Sequence, residues 1–109
     1  MHIFDIETNG LLYNVDTIHC LVIYDTEADQ TLVYNNAGSE EPIVRGIQVL
    51  EDSDCILGHN VINYDLPVIS KLYPWFRYPA CVVDTLVLSR LYHPNMIELD
   101  KKHNWKSMP

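Results

Sequence analysis

Two acids one residue apart, Asp5 and Glu7, stand at the end of a short apolar run, and a third, Asp65, follows an asparagine-bearing turn much later in the chain. Strand alternation points side chains i and i+2 to one face, so Asp5 and Glu7 are expected to crowd together beside a core. Carboxylates held that close either keep a proton or bind cations. The plainer reading is a pair of acids at a strand's wet end. Asp65 closes the stretch Gly58-His59-Asn60-Val61-Ile62-Asn63-Tyr64-Asp65. A strand ending at Gly58, a turn and a helix start place it in the first helical turn, where the dipole favours an ionised carboxylate. That suits a metal ligand or a residue that positions water. It equally suits an ordinary helix N-terminus, with Asn60 a turn residue and Tyr64 a half-buried aromatic.

The elements that must position these acids follow from the apolar pattern. His2–Ile6 reads as a buried first strand ended by Thr8-Asn9-Gly10. Thr17–Tyr24 and Thr31–Tyr34 are β-rich runs parted by the polar turn 25–30, which gives a three-stranded antiparallel meander. Pro42 opens a helix over Ile43–Leu50, with apolar residues at 43, 44, 47 and 50. Asp54–Leu57 is a fourth strand. Residues 62, 66, 69 and 73 form the stripe of a second helix, and Pro67 is tolerated only in its first turn, so that helix is expected to begin near Asn63. Trp75, Phe76 and Tyr78 read as an aromatic knot closing the core. Cys81–Val83 is a further strand, and Asp84 caps a helix over Asp84–Tyr92. A meander leading into strand–helix crossovers predicts an α/β domain with a mixed sheet covered by helices. Residues 94–109, without clear period, read as an exposed loop or tail.

The chain has 109 residues, 48% of them hydrophobic and 20% charged, which suits one small globular domain. No apolar run is long enough to span a membrane, and the N-terminal residues carry no secretory leader. A cytoplasmic protein without a membrane partner is the expectation. Cys20, Cys55 and Cys81 match no zinc-ligand spacing and leave one thiol over in any pairing, so they read as reduced, buried small hydrophobes. A net charge of −8 argues against binding nucleic acid through a broad basic surface. It is compatible with an enzyme that grips a strand locally and offsets its own acids with metal ions. The acids are also unevenly placed: residues 1–70 hold twelve acids and one base, Arg45, whereas residues 71–109 hold three acids and six bases. The acidic part is where chemistry is expected.

Taken together, Asp-x-Glu-Thr on an N-terminal strand and Asn-x-x-x-Tyr-Asp at a helix start resemble the first two motifs of the DEDD family of 3'-5' exonucleases, which have an RNase H-like fold. The stretches D-I-E-T-N-G-L-L, H-C-L-V-I-Y-D, H-N-V-I-N-Y-D-L-P and D-T-L-V-L-S-R-L-Y-H, in order over residues 1–93, resemble the N-terminal part of the proofreading domain of family A DNA polymerases from short-tailed phages. The resemblance implies a catalytic and metal-binding set of Asp5, Glu7 and Asp65, holding two divalent ions, Mg²⁺ or Mn²⁺. Asp5 would bridge the two, Glu7 would bind the first, and Asp65 the second largely through water. Thr8, Asn60 and Tyr64 would contact the nucleic acid. The implied partners are a single-stranded DNA 3' end and an attached polymerase domain, and the implied location is the host cytoplasm if the chain is phage-encoded.

The family's third motif places a fourth carboxylate after Tyr-x-x-x or His-x-x-x-x, and neither Tyr-x-x-x-Asp nor His-x-x-x-x-Asp occurs here; His93 meets Glu98 at the second spacing. The expectation is therefore a chain truncated at its C-terminus, with residues 1–93 the first part of an exonuclease domain and little activity alone. The alternative is a noncatalytic module that docks a complementing C-terminal segment or self-associates. His59 reads as a turn histidine, and Lys101, Lys102 and Lys106 as phosphate contacts or solubilising charges.

Overall fold

The computed structural model describes residues 1–92. Among them, five strands form one sheet in the order β3-β2-β1-β4-β5: β1 (His2–Thr8), β2 (Ile18–Asp25), β3 (Gln30–Tyr34), β4 (Cys55–Gly58) and β5 (Cys81–Asp84). The first three make the expected antiparallel meander, and β4 and β5 join parallel to β1. Parallel neighbours need crossovers. These are α1 (Ile43–Asp52) before β4 and, before β5, a π-helical turn (Val61–Asp65) that runs into α2 (Leu66–Leu72); α3 (Thr85–Tyr92) follows β5. The mixed α/β sheet read from the sequence is the one that forms.

Alternation along β1 decides what faces where. Phe4 and Ile6 turn inward, opposite Ile23 and Leu21 of β2, while Ile3, Asp5 and Glu7 face outward. The two acids thus share a face, as expected, but it is the exposed face of the sheet rather than the core side. On the inner face, α1 buries Ile43, Gly46, Ile47 and Leu50, the i, i+3, i+4, i+7 stripe of an amphipathic helix. A Cβ at Gly46 would lie 2.5 Å from the Leu21 side chain and 2.7 Å from the Tyr34 ring, so glycine there lets α1 close onto β2 and β3. Val61, Leu66, Val68 and Ile69 complete the same core. At the far end of β1, His2 Nδ1 lies 2.6 Å from Ser53 Oγ, whose hydroxyl donates to the Cys55 carbonyl, so this serine hydrogen is committed to fold rather than to chemistry.

Several expectations need correction. The helical segment starts at Val61 rather than near Asn63, and its first turn is π-helical, with the Leu66 N–H donating to the Val61 carbonyl. The wider turn lets Pro67, which has no N–H to donate, sit near the start of α2 without breaking the segment. It also rotates the stripe, so that Val61 is buried and Ile62 is 47% exposed. Of the aromatic knot only Phe76 enters the core; Trp75 and Tyr78 are exposed. The cysteines are not three buried thiols. Cys55 and Cys81 are register partners on the parallel strands β4 and β5, with Cα atoms 4.6 Å apart, and are joined by a disulfide; Cys20 is free and half-buried. That separation lies in the range a disulfide accepts. Residues 94–109, read as a loop or tail, lie outside the described residues. No helix among the described residues is long and apolar enough to cross a membrane.

Candidate functional site

Asp65 ends the π-helical turn and is only 5% exposed. Its Oδ2 is buried without a hydrogen-bond partner. Burial, and then the nearby Asp5 carboxylate, push its pKa up to about 7, against a smaller opposing pull from the Ile6 and Asp65 backbones. Asp65 thus lies against β1, near enough for the Ile6 backbone to hydrogen-bond its carboxyl and for the Asp5 charge to act on it. This is what the spacing Asp5…Asp65 left to be settled by the fold. A buried carboxylate oxygen with no donor, beside a second carboxylate, is the electrostatic setting in which a cation substitutes for a missing proton. Glu7 stands on the outer face of β1 with Asp5 and is exposed. Among the described residues, however, no three acidic, histidine or cysteine side chains gather closely enough to hold a metal ion by themselves. Asp5 and Asp65 are hard oxygen donors of the kind divalent cations take, and Glu7 stands on the same face of β1 as Asp5.

Thr8 and Tyr64 also meet. The two hydroxyls are 2.5 Å apart, and the Tyr64 hydroxyl donates to the Gly10 carbonyl while Thr8 Oγ1 also reaches that carbonyl at 3.1 Å. With Lys71 Nζ donating to the Leu12 carbonyl at 3.0 Å, this ties the β1–β2 loop to the helix carrying Asp65. The loop is closed by Asn9, whose Oδ1 accepts the Asp16 and Thr17 N–H groups, and plugged by Val15, which is 1% exposed. Its tip leaves Leu11 and Tyr13 exposed.

Asn60 lies elsewhere in the arrangement. It takes a left-handed conformation, φ 59°, which asparagine tolerates better than most residues. Its N–H is held by Asp84 and its carbonyl accepts the Tyr64 N–H. Gly58, just before it, has no room for a side chain: a Cβ would meet Val61 Cγ1 at 2.2 Å and the Phe4 carbonyl at 3.0 Å. The glycine lets the site turn press against β1.

Sequence reasoning assigned Asp84 to helix capping and missed its second task. Oδ1 accepts N–H groups from Leu86 at 2.9 Å and Val87 at 3.4 Å, the expected cap, but also from Asn60 at 2.9 Å, while Oδ2 accepts from Ile62 at 2.9 Å. Burial raises its pKa, the four amides outweigh that, and the net shift is downward. The usable signal was the dipeptide Asp84-Thr85 after an apolar strand; its link to residues 60 and 62 is purely tertiary.

A β3-β2-β1-β4-β5 mixed sheet with helical crossovers, carrying acids at the end of its central strand, defines an RNase H-like α/β domain. The chain belongs to the RNase H superfamily: the RNase_H_2 profile of that superfamily matches residues 2–107. It is 35% identical over 114 residues to the DNA-directed DNA polymerase of Escherichia phage T7 and 35% identical over 108 residues to that of Enterobacteria phage T3. Each match covers 92% of this chain, which spans 15% of the length of either relative. Among solved structures, it is similar to the family B DNA polymerase from the hyperthermophilic archaeon Pyrobaculum calidifontis, with TM-score 0.51 and 21% identity over 67% of this chain and 10% of that one. That likeness is one of fold. The resemblance to a phage polymerase read from the motifs is borne out.

Proposed function

We propose that this chain is part of a two-metal 3'-5' exonuclease domain of the proofreading type, acting on single-stranded DNA 3' ends beside a polymerase domain in the host cytoplasm. The observation that carries the reading is the approach of Asp5 to a buried, donor-less Asp65 oxygen, inside the frame Asp-x-Glu-Thr and Asn-x-x-x-Tyr-Asp. Asp5, Glu7 and Asp65 would hold the Mg²⁺ or Mn²⁺ ions. Such ions activate a water for attack on phosphorus and stabilise the leaving oxygen. Thr8 sits at the end of β1, its hydroxyl 2.5 Å from that of Tyr64, and would contact the terminal nucleotide. Asn60 and Tyr64 border the strand's path, and exposed Leu11 and Tyr13 offer apolar surface to the last bases.

A second reading, a noncatalytic module completed by another segment, is favoured by the outer sheet face, which carries Ile3 and Val33 at 36% and 38% exposure. Both readings predict little hydrolysis by the 109 residues alone. They part when a polypeptide carrying a third motif is attached or added, with a 3'-labelled single strand and Mg²⁺. Turnover that requires the added segment and is lost in Asp5→Asn supports the exonuclease. No turnover by either form overturns it in favour of the docking module, and equal Asp5-dependent turnover by the chain alone contradicts the need for completion.

A further inference from the structure

Asp84 is 3% exposed, lies nineteen positions from Asp65, and spends its two oxygens on two separate parts of the chain. Capping α3 explains only part of this. The Leu86 and Val87 N–H groups need one acceptor oxygen, which serine or asparagine supplies about as well as aspartate. Oδ2 plays no part in that cap: its partner is the Ile62 N–H, while Oδ1 adds the Asn60 N–H. One rigid carboxylate thus grips the site turn at two points, which fixes the orientation of the turn as well as its position. The neighbouring Thr85 extends the grip, with Oγ1 2.9 Å from His59 Nδ1 and 3.5 Å from the Gly58 carbonyl.

The grip passes directly to the site. Asn60, which is gripped, and Val61, which lies between the two gripped amides, supply the first carbonyls of the π-helical segment: Asn60 accepts from Tyr64 and Val61 from Leu66, on either side of Asp65. The Asp65 carboxylate has no hydrogen bond to its Oδ2 that could hold it in place, and Asp5 alongside repels it. Apart from the Ile6 backbone hydrogen bond to the carboxyl, its position therefore depends on the backbone that carries it. Glu7 and Asp5 stand on β1, which is held by its own ladder to β2 and not by Asp84.

We propose that Asp84, assisted by Thr85, is a positioning residue: by clamping the Asn60 and Ile62 amides it sets the π-helical turn and holds the Asp65 carboxylate against Asp5 for a divalent cation. This rests on the metal-site reading above and adds to it a residue outside both motifs. Asp84→Asn is nearly isosteric and separates the two duties. Its one acceptor oxygen keeps the α3 cap and the Asn60 contact, and its amide turns a donor toward the Ile62 N–H, so only the second grip is lost.

The test compares the full chain and its D84N variant by NMR, with hydrogen exchange followed by a Mn²⁺ titration. D84N is expected to exchange the Ile62 amide at least about tenfold faster while protecting Asn60, Leu86 and Val87, which share Oδ1, as before. It should bind Mn²⁺ about tenfold more weakly, in line with the loss of a group that orients a ligand. Mn²⁺ broadening should persist at Asp5 and Glu7 while fading at Tyr64, Asp65 and Leu66, a selectivity that general destabilisation would not produce. A folded D84N with wild-type affinity and an unchanged broadening pattern overturns the assignment of Asp84 and leaves the metal site standing. Absence of any Mn²⁺ effect in the wild type overturns the metal reading and the assignment with it. Should D84N not fold, Thr85→Val is read the same way: a smaller selective loss at Asp65 supports the clamp, and no change refutes it.

Discussion

Asp65 and Asp84 are buried to nearly the same degree, 5% and 3% exposed, and each stands where a helical segment meets its neighbour, yet their carboxyl groups are driven in opposite directions. Burial raises both. At Asp84 four backbone N–H groups more than offset it and the acid ionises more readily than usual. At Asp65 one oxygen has no donor, the Asp5 charge adds to the burial, and the pKa climbs to about 7. Burial alone therefore does not decide what a carboxylate is for; the supply of donors does. An acid whose oxygens are all satisfied anchors the backbone. One left short of donors beside a like charge is a standing cost to the fold unless a cation arrives.

The contrast can be broken most forcefully at Asp84. Asp84→Ala leaves four N–H groups without their acceptor, at about 1–3 kcal/mol each before water relieves some of them. A loss of roughly 4–6 kcal/mol is expected, read as a fall in the urea midpoint at pH 7.

Asp65 should behave in the opposite sense. Its folded pKa lies above its unfolded one, so the folded state holds the extra proton, and stability falls as pH rises from about 4 to about 7 and then levels off. The rise from 3.8 to about 7 bounds the effect at about 4 kcal/mol. Asp65→Asn should therefore stabilise the metal-free protein by about 2–4 kcal/mol at pH 8 and flatten its stability between pH 4 and 7. A neutral or destabilising outcome in metal-free urea unfolding would remove Asp65 from the comparison. For Asp84 the sign reverses: its folded pKa is depressed, so its contribution is present at neutral pH and is lost only as pH falls below the ordinary carboxylate range.

Tyr64→Phe removes the hydroxyl that joins Thr8 and Gly10, and should cost about 1–2 kcal/mol while raising amide exchange across residues 9–14. The smallest effect belongs to Asn60. Replacing it with alanine at φ 59° should cost about 1 kcal/mol, whereas Asn60→Gly should fall within about 0.5 kcal/mol of wild type. Equal costs for the two would show that the left-handed turn is not where its strain lies.

Much of this arrangement was legible before the fold was known. Strand, strand, strand and then helix–strand alternation follows from apolar period and turn residues, and Asp5 and Glu7 share a face because strands alternate. What escaped depends on contacts between distant elements. The π-helical turn is hidden because residues 62, 66 and 69 mimic an α-helical stripe; only packing against β1 and the Asp84 clamp select Val61 over Ile62. Cys55 and Cys81 look unrelated at a separation of twenty-six residues, and become neighbours only once β4 and β5 pair in parallel register. Asp84 shows both sides at once. Its cap is local and could be read, while its hold on residues 60 and 62 could not.

The most direct measurement is a pH titration of the Asp65 and Asp84 side-chain carboxyl carbons by NMR, with and without millimolar Mg²⁺. The expected result is an Asp65 midpoint near 7 in the metal-free protein, falling below about 5 when Mg²⁺ is added, and an Asp84 midpoint that stays low in both. An Asp65 midpoint near 4 without metal, or one that Mg²⁺ does not move, would contradict the claim that this carboxylate is held for a cation.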